Sequence, residues 1–439
     1  MPNFISQIIS KTFTSIVGFL NLVSGFRSGF TGKKISTPED FEPILRFIAS
    51  SDIHLNGDEE QINAIRLKNL IADIYKYSET QSYKKLDALM VVGDFAGGGA
   101  EEEYASFNKI IDSVIRKDET QVITVLGNHE FINYRDVDAT VGYKVYKKMI
   151  NENVDTDIVI NGYHFIGVSY DDNGKTFSGK TDWLRERLEN ATKEDPQKPV
   201  FVYQHPHPTL TVYGSITWSD LDIRKVLNDF PQVVDFSGHS HYSPSDPRCV
   251  WQGKFTAVGC GSLGALMGNL NYIEGDKDAP GKSAAAWVVE VDKDGNISFK
   301  LYDVENRMFF QSIDYYFTNL SDKSKRAYTF HKQKSLDTKP LFTENATIKN
   351  TTNEDNEVVI SFPEARGYYE AENYKIIVKD NNNKKVFEKT VISEYVRATD
   401  DDVKVNLGKL EKGDYKVKVN SYTPYAKKGQ VLKNTITVQ

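Results

Sequence analysis

The chain has 439 residues, with 54 Lys plus Arg against 61 Asp plus Glu and a net charge of −7. No basic block offers a footprint for a long nucleic acid, and 39% hydrophobic with 12% aromatic residues exclude a disordered or collagen-like chain. Because one ordinary core serves ~100 to 200 residues, two domains are expected.

In the first 36 residues, Phe4, Ile5, Ile8, Ile9, Phe13, Ile16, Phe19, Leu20, Val23 and Phe26 recur at helical spacing, with Gln7, Ser10, Lys11, Thr14 and Asn21 on the other side. That pattern describes an amphipathic helix. It suits packing on the chain itself, a peripheral membrane contact, or a poor export signal. A cytoplasmic or membrane-surface location is favoured, and export stays open. No apolar run reaches the roughly 18 residues that a spanning helix needs. The composition carries no sign of an oligomeric state.

From Ile44 the chain alternates short apolar runs with helical stretches, the pattern of a sheet covered by helices. Leu45 to Ala49 leads into Asp52-Ile53-His54, Ala88 to Val92 into Gly93-Asp94, and Val122 to Leu126 into Gly127-Asn128-His129-Glu130. Val200 to Tyr203 precedes Gln204-His205-Pro206-His207-Pro208, and Val233 to Phe236 precedes Gly238-His239-Ser240-His241. Each polar cluster follows an apolar strand, where α/β sheets assemble ligand sites. Glycines before three of the clusters are expected to give the tight backbone that turns a side chain inward.

Short strands then follow, Phe255 to Val258, Ala286 to Val291 and Ile297 to Tyr302, closing a domain over 42–307. Residues 308–340 are mixed and charged, and read as a connector with some helix. Beyond Leu341 the apolar positions alternate, as in an all-β sandwich over 341–439. The piece Leu410 to Tyr415 followed by Val417 and Val419 resembles the penultimate strand of fibronectin type III-like domains, with Tyr415 as the candidate tyrosine corner. Cys249 and Cys260 fit no zinc, redox or disulfide-framework spacing and are expected in the core.

The histidines, aspartates and asparagine at the strand ends are the residue types that hold a pair of divalent cations for phosphate-ester hydrolysis. Asp52 and His54 can turn toward one ion, which His241 also reaches. Asp94 is the natural bridge. Asn128, His205 and His239 supply the second ion. Manganese is favoured, with iron, zinc or cobalt as alternatives, and a small phosphate ester as substrate. Tyr170, Tyr213 and Trp218 are candidates for a substrate wall. His207 and His164 read as structural, and Gly97-Gly98-Gly99 as a flexible loop beside the metals.

Asp-x-His, Gly-Asp, Gly-Asn-His-Glu, a lone His and Gly-His-x-His, in that order over about 42 to 305, resemble the calcineurin-like metallophosphoesterase family. The resemblance implies a four-layer α/β/β/α sandwich within the α/β class, ahead of the all-β domain. It assigns Asp52, His54, Asp94 and His241 to one metal, and Asp94, Asn128, His205 and His239 to the other. The nucleophile is then a metal-bound hydroxide, and His129 faces the leaving group without being a ligand. Physically, a protonated His129 could donate to the leaving alkoxide, with Glu130 equally a candidate to hold its far nitrogen or to take a solvated or structural role. Purple acid phosphatases carry Gly and Tyr where this chain has His54 and Gly97, so the cyclic-nucleotide phosphodiesterase-like branch is nearer. A diester is favoured over a monoester. The alternative class is an envelope adhesion or binding protein with an auxiliary catalytic domain.

Overall fold

The computed structural model describes residues 36–266 and 283–439. The amphipathic helix expected near the N-terminus falls outside them. Among the described residues no helix is long and apolar enough to cross a membrane. The chain forms two units, one of residues 36–333 with 396–399 and one of 334–395 with 400–439.

In the first unit, β1 (Pro43–Ser50), β2 (Ala88–Val91) and β3 (Gln121–Thr124) are parallel neighbours. Then come β4 (Thr156–Ile160), β5 (Tyr163–Gly167), β6 (Val200–Tyr203), and the two-residue β7 (His207–Pro208) and β8 (Ser219–Asp220). After them run β9 (Val233–Ser237), β10 (Val250–Gln252), β11 (Thr256–Gly259), β12 (Ala285–Asp292), β13 (Ile297–Asp303) and β14 (Met308–Phe317). One six-stranded sheet has the order β14-β13-β12-β1-β2-β3 and the other β10-β11-β9-β6-β5-β4. The central strands are continuous apolar runs because both faces are covered. Phe47 points inward, its ring 5.1 Å from Phe165 and Phe201 and 5.7 Å from Phe236 of the opposite sheet.

Its neighbour Ile48 points the other way, into a cluster with Leu67, Leu70, Ile71 and Ile74 of helix α1 (Ile62–Thr80). These four recur at helical spacing, so one stripe of α1 is apolar and must be covered. Tyr77 of the same helix bonds Glu290 of β12 at 3.3 Å. On the second sheet, His164 of β5 meets Glu194, the last residue of helix 181–194, at 3.1 Å. Helix, sheet, sheet and helix therefore stack in four layers. Met308–Phe317, read from the sequence as the start of a connector, is instead the edge strand β14, paired with β13.

The second unit is all-β apart from the end of a short helix. Its strands are β15 (Lys349–Thr352), β16 (Val358–Phe362), β17 (Asn373–Lys379), β18 (Lys385–Ile392), β19 (Val403–Asn406), β20 (Gly413–Tyr422) and β21 (Lys428–Val438). They form sheets β15-β16-β19 and β18-β17-β20-β21. Alternate residues of both, among them Ile360, Phe362 and Val405 with Tyr374, Ile376 and Val419, share one apolar cluster. The Tyr415 hydroxyl donates to the Glu411 carbonyl, four residues upstream, at 2.9 Å.

Candidate metal centre

Parallel strands that stop in register deliver their C-terminal loops to one end of the sheet. Ser50 lies beside Val91, and Val91 beside Thr124, so Asp52, Asp94 and Asn128 emerge together. In the second sheet Tyr203 lies beside Phe236, ahead of His205 and His239. The loops are then tied to one another: Asp52 N–H donates to the Gly93 carbonyl at 3.2 Å, His54 to Asp94 at 3.0 Å, and Gly238 to His205 at 2.9 Å.

The backbone turns sharply at the candidate residues themselves. Asp52, His54, Asp94, His239 and His241 have φ of 52°, 54°, 49°, 69° and 56°. The left-handed region costs a residue with a Cβ about 1–3 kcal/mol, and such residues concentrate at functional sites. Five in one cluster persist because the surroundings over-determine them. Of the three glycines expected to supply tight backbone, Gly127 and Gly238 act through their missing side chains. A Cβ on Gly127 would stand 2.1 Å from Asp94 Oδ1, and one on Gly238 would stand 1.9 Å from Ser51 Oγ and 2.4 Å from Asp52 Oδ2.

Each carboxylate has one oxygen tied to backbone and one turned into the cluster. Asp94 Oδ1 accepts from His129 N–H at 2.8 Å while Oδ2 lies 3.0 Å from His205 Nε2. Asp52 Oδ2 accepts from His239 N–H at 2.9 Å while Oδ1 lies 3.0 Å from His241 Nε2. The imidazoles are oriented in the same manner: Nδ1 of His205 meets the Val92 carbonyl at 2.8 Å and Nδ1 of His241 the Ala265 carbonyl at 3.1 Å. A carbonyl only accepts, so Nδ1 carries the hydrogen and Nε2 is left to take a proton or a metal.

Three buried atoms, Asp52 Oδ1, Asn128 Oδ1 and His205 Nε2, complete no hydrogen bond. Buried polar atoms of this kind require a partner. Three groups bring their ligand atoms within 4.8 Å of one another: Asp52, His54 and His241; His54, Asp94 and His129; Asp94, His205 and His239. Electrostatics ask for cations at this point. Burial would raise both aspartates, yet the histidines around them hold Asp52 and Asp94 below the ordinary carboxylate range. Burial works against a proton on His205, but Asp94 and Asp52 raise it to about 10. Burial lowers His54 and His239 to about 4, so both imidazoles are neutral donors. Imidazoles, carboxylates and an amide oxygen are a donor set that fits manganese, iron, zinc or cobalt.

His129 stands in the same cluster, its ring 4.3 Å from that of His54 and its Nε2 4.0 Å from Asp94 Oδ2. What sets it apart is exposure, 32% of its side chain against 0% for His205. Its Nδ1 bonds the Gly97 carbonyl at 2.9 Å, so Glu130 does not hold that ring. Glu130 is wholly buried and gathers three backbone N–H groups instead, Asp94 at 3.0 Å, Ala96 at 2.9 Å and Gly127 at 2.6 Å. It thereby fixes the loops that carry Asp94 and Asn128. Burial, then the charge of Asp94, pushes its carboxyl up to about 8. The triple glycine is held as well, with Gly98, Gly99 and Ala100 N–H all on Glu103 Oε2 at 2.8–3.0 Å. These three bonds gather it into a hydrogen-bonded turn.

The aromatic candidates separate by burial. Tyr170 is buried against Phe131 and Phe177, and Tyr213 stacks on Tyr242 with ring centroids 4.5 Å apart. Trp218 is exposed and lies against a candidate ligand, its ring 5.0 Å from His239 and edge-on at 89°. His207 is a structural residue between Ser237 Oγ at 2.8 Å and Ser240 Oγ at 2.7 Å, and His164 pairs with Asp157 at 2.8 Å. Both cysteines are free and buried.

The family model of calcineurin-like phosphoesterases matches residues 45–243. This segment is a calcineurin-like phosphoesterase domain. Asp52, His54, Asp94, Asn128, His129, His205, His239 and His241 all lie within it. Over 209 residues the chain is 25% identical to a Rhodococcus erythropolis protein named "Probable cyclic nucleotide phosphodiesterase", covering 44% of this chain and 64% of that protein. Solved structures similar to the chain include a purple acid phosphatase from yellow lupin (Lupinus luteus) seeds, 12% identical, with a TM-score of 0.44 over 64% of this chain and 55% of that one. A 5′-nucleotidase precursor from Thermus thermophilus is 14% identical, with a TM-score of 0.36 over 60% and 54%.

Proposed function

We propose that the phosphoesterase domain hydrolyses a small phosphate ester, a diester in preference to a monoester, with two divalent cations. The observation that carries this reading is the set of buried atoms that complete no hydrogen bond, Asp52 Oδ1, Asn128 Oδ1 and His205 Nε2. Asp52, His54 and His241 would hold one ion, Asn128, His205 and His239 the other, and Asp94 both. Bound cations would supply an activated water and offset charge on the phosphoryl oxygens. His129, more exposed at 32% than His54, His205 or His241, would give a proton to the departing oxygen. The half-free Asp52 and Asp94 carboxylates keep their orientation through the N–H groups of His239 and His129. Diester preference is supported by the name of the Rhodococcus erythropolis relative. The β-sheets of the second unit would form a fibronectin type III-like sandwich, supported by the Tyr415 back-bond.

The test is a panel of bis(4-nitrophenyl) phosphate, 4-nitrophenyl phosphate and cyclic nucleotides with added manganese. The diesters are expected to show the higher kcat/KM. Faster turnover of 4-nitrophenyl phosphate would make the protein a phosphomonoesterase, and no turnover of any ester would remove the reading.

A further inference from the structure

Trp218 is 42% exposed although it adjoins a buried cluster, and it is held from several sides. Its N–H donates to the Gly214 carbonyl at 3.1 Å and its carbonyl accepts from His207 N–H at 3.0 Å, where the pairing of β7 with β8 begins. The indole is packed too, its ring meeting His239 edge-on with centroids 5.0 Å apart. Behind it Tyr242 stacks on Tyr213, the Arg248 guanidinium lies 3.6 Å over the Tyr213 ring, and Asp246 Oδ1 receives Arg248 Nε at 2.8 Å. An aromatic ring that is merely packed is covered. This one is anchored through its backbone, packed edge-on against His239 and left open, which is how a binding surface is pre-organised.

We infer that Trp218 is a specificity-determining shelf on which a flat aromatic group of the ester substrate stacks while its phosphate sits at the cluster that includes His239. The inference rests on the phosphoesterase reading and deepens it by naming the substrate class: esters that carry a planar ring close to phosphorus. Stacking on an indole needs only a π-face, so the shelf selects rings over alkyl chains without reading any particular heteroatom. A rigid, single plane suits a ring better than a flexible acyl chain, which gains from a deformable surface instead.

The experiment compares benzylphosphonate with methylphosphonate on the manganese-loaded full chain by titration calorimetry. Both resist hydrolysis, since a carbon replaces the ester oxygen, and they differ only in the ring. Wild type is expected to bind benzylphosphonate about tenfold tighter or more, the magnitude of one stacked ring. In Trp218→Ala the ratio should fall close to one with methylphosphonate affinity unchanged, and Trp218→Phe should keep most of it. An unchanged ratio in Trp218→Ala, with methylphosphonate still bound, overturns the shelf and leaves the phosphoesterase reading in place. A lost affinity of Trp218→Ala for both phosphonates shows that Trp218 only supports His239, and also overturns it. If neither phosphonate binds wild type and the ester panel is inert, the phosphoesterase reading fails and the shelf with it.

Discussion

Asp94→Asn is expected to lower turnover of bis(4-nitrophenyl) phosphate by at least about 10²- to 10³-fold, the scale of losing one pre-organised electrostatic contact in an active site. The amide keeps the shape and removes the charge. Asp94 Oδ1 holds His129 N–H, and Oδ2 faces His205 Nε2 at 3.0 Å. Asp94 also belongs to two of the three groups of ligand atoms. A residue shared in this way should cost occupancy at both cation positions. Asn128→Ala, by contrast, removes one neutral oxygen and should lower one. Metal analysis of the two variants beside wild type separates them. Two fully retained ions in Asp94→Asn would contradict the shared role.

His129→Ala is expected to keep both ions and the fold yet lose ~10²- to 10⁴-fold in turnover, the usual range for a general acid. Its Nδ1 is engaged by the Gly97 carbonyl, and its side chain is 32% exposed, so removing the ring opens no buried cavity. The loss should depend on the leaving group. A poor alkoxide needs the proton and suffers most, whereas nitrophenolate leaves readily and suffers less. Equal losses with both would make His129 a stabiliser of phosphoryl charge and not an acid. A lost ion would make it a ligand, which its 4.0 Å approach to Asp94 Oδ2 makes a real alternative to exclude.

The candidate ligands were legible as a group because each lies within a few residues of the apolar strand that delivers it, and both features are local. What the ligands do to the backbone was not legible. The sequence suggested that glycines would absorb the tight turns, but five of the candidate ligands take positive φ themselves, held by contacts between loops far apart in the chain. The choice for Glu130 between holding His129 and a structural role stayed open for the same reason. Its partners at positions 94, 96 and 127 are backbone N–H groups, which leave no trace in side-chain pattern. Tyr170, Tyr213 and Trp218 look alike in sequence, and only burial, a property of the folded neighbourhood, distinguishes the packed rings from the open one. Strand β14 was missed because an edge strand buries little: of Met308–Phe317 only Phe310 and Phe317 are core residues, so no clean alternation marks it. The C-terminal strands were legible because each sheet buries one face, which imposes period-two alternation.

The most direct test of a two-cation centre is a manganese titration of the chelator-treated full chain, with bound metal and hydrolysis of bis(4-nitrophenyl) phosphate measured on the same samples. The expected result is no turnover without metal and a rate that rises to a plateau at two ions per chain, because the atoms of Asp52, Asn128 and His205 that complete no hydrogen bond divide between the two proposed positions. Full turnover in samples verified free of metal, or saturation of binding and rate at a single ion, would contradict it.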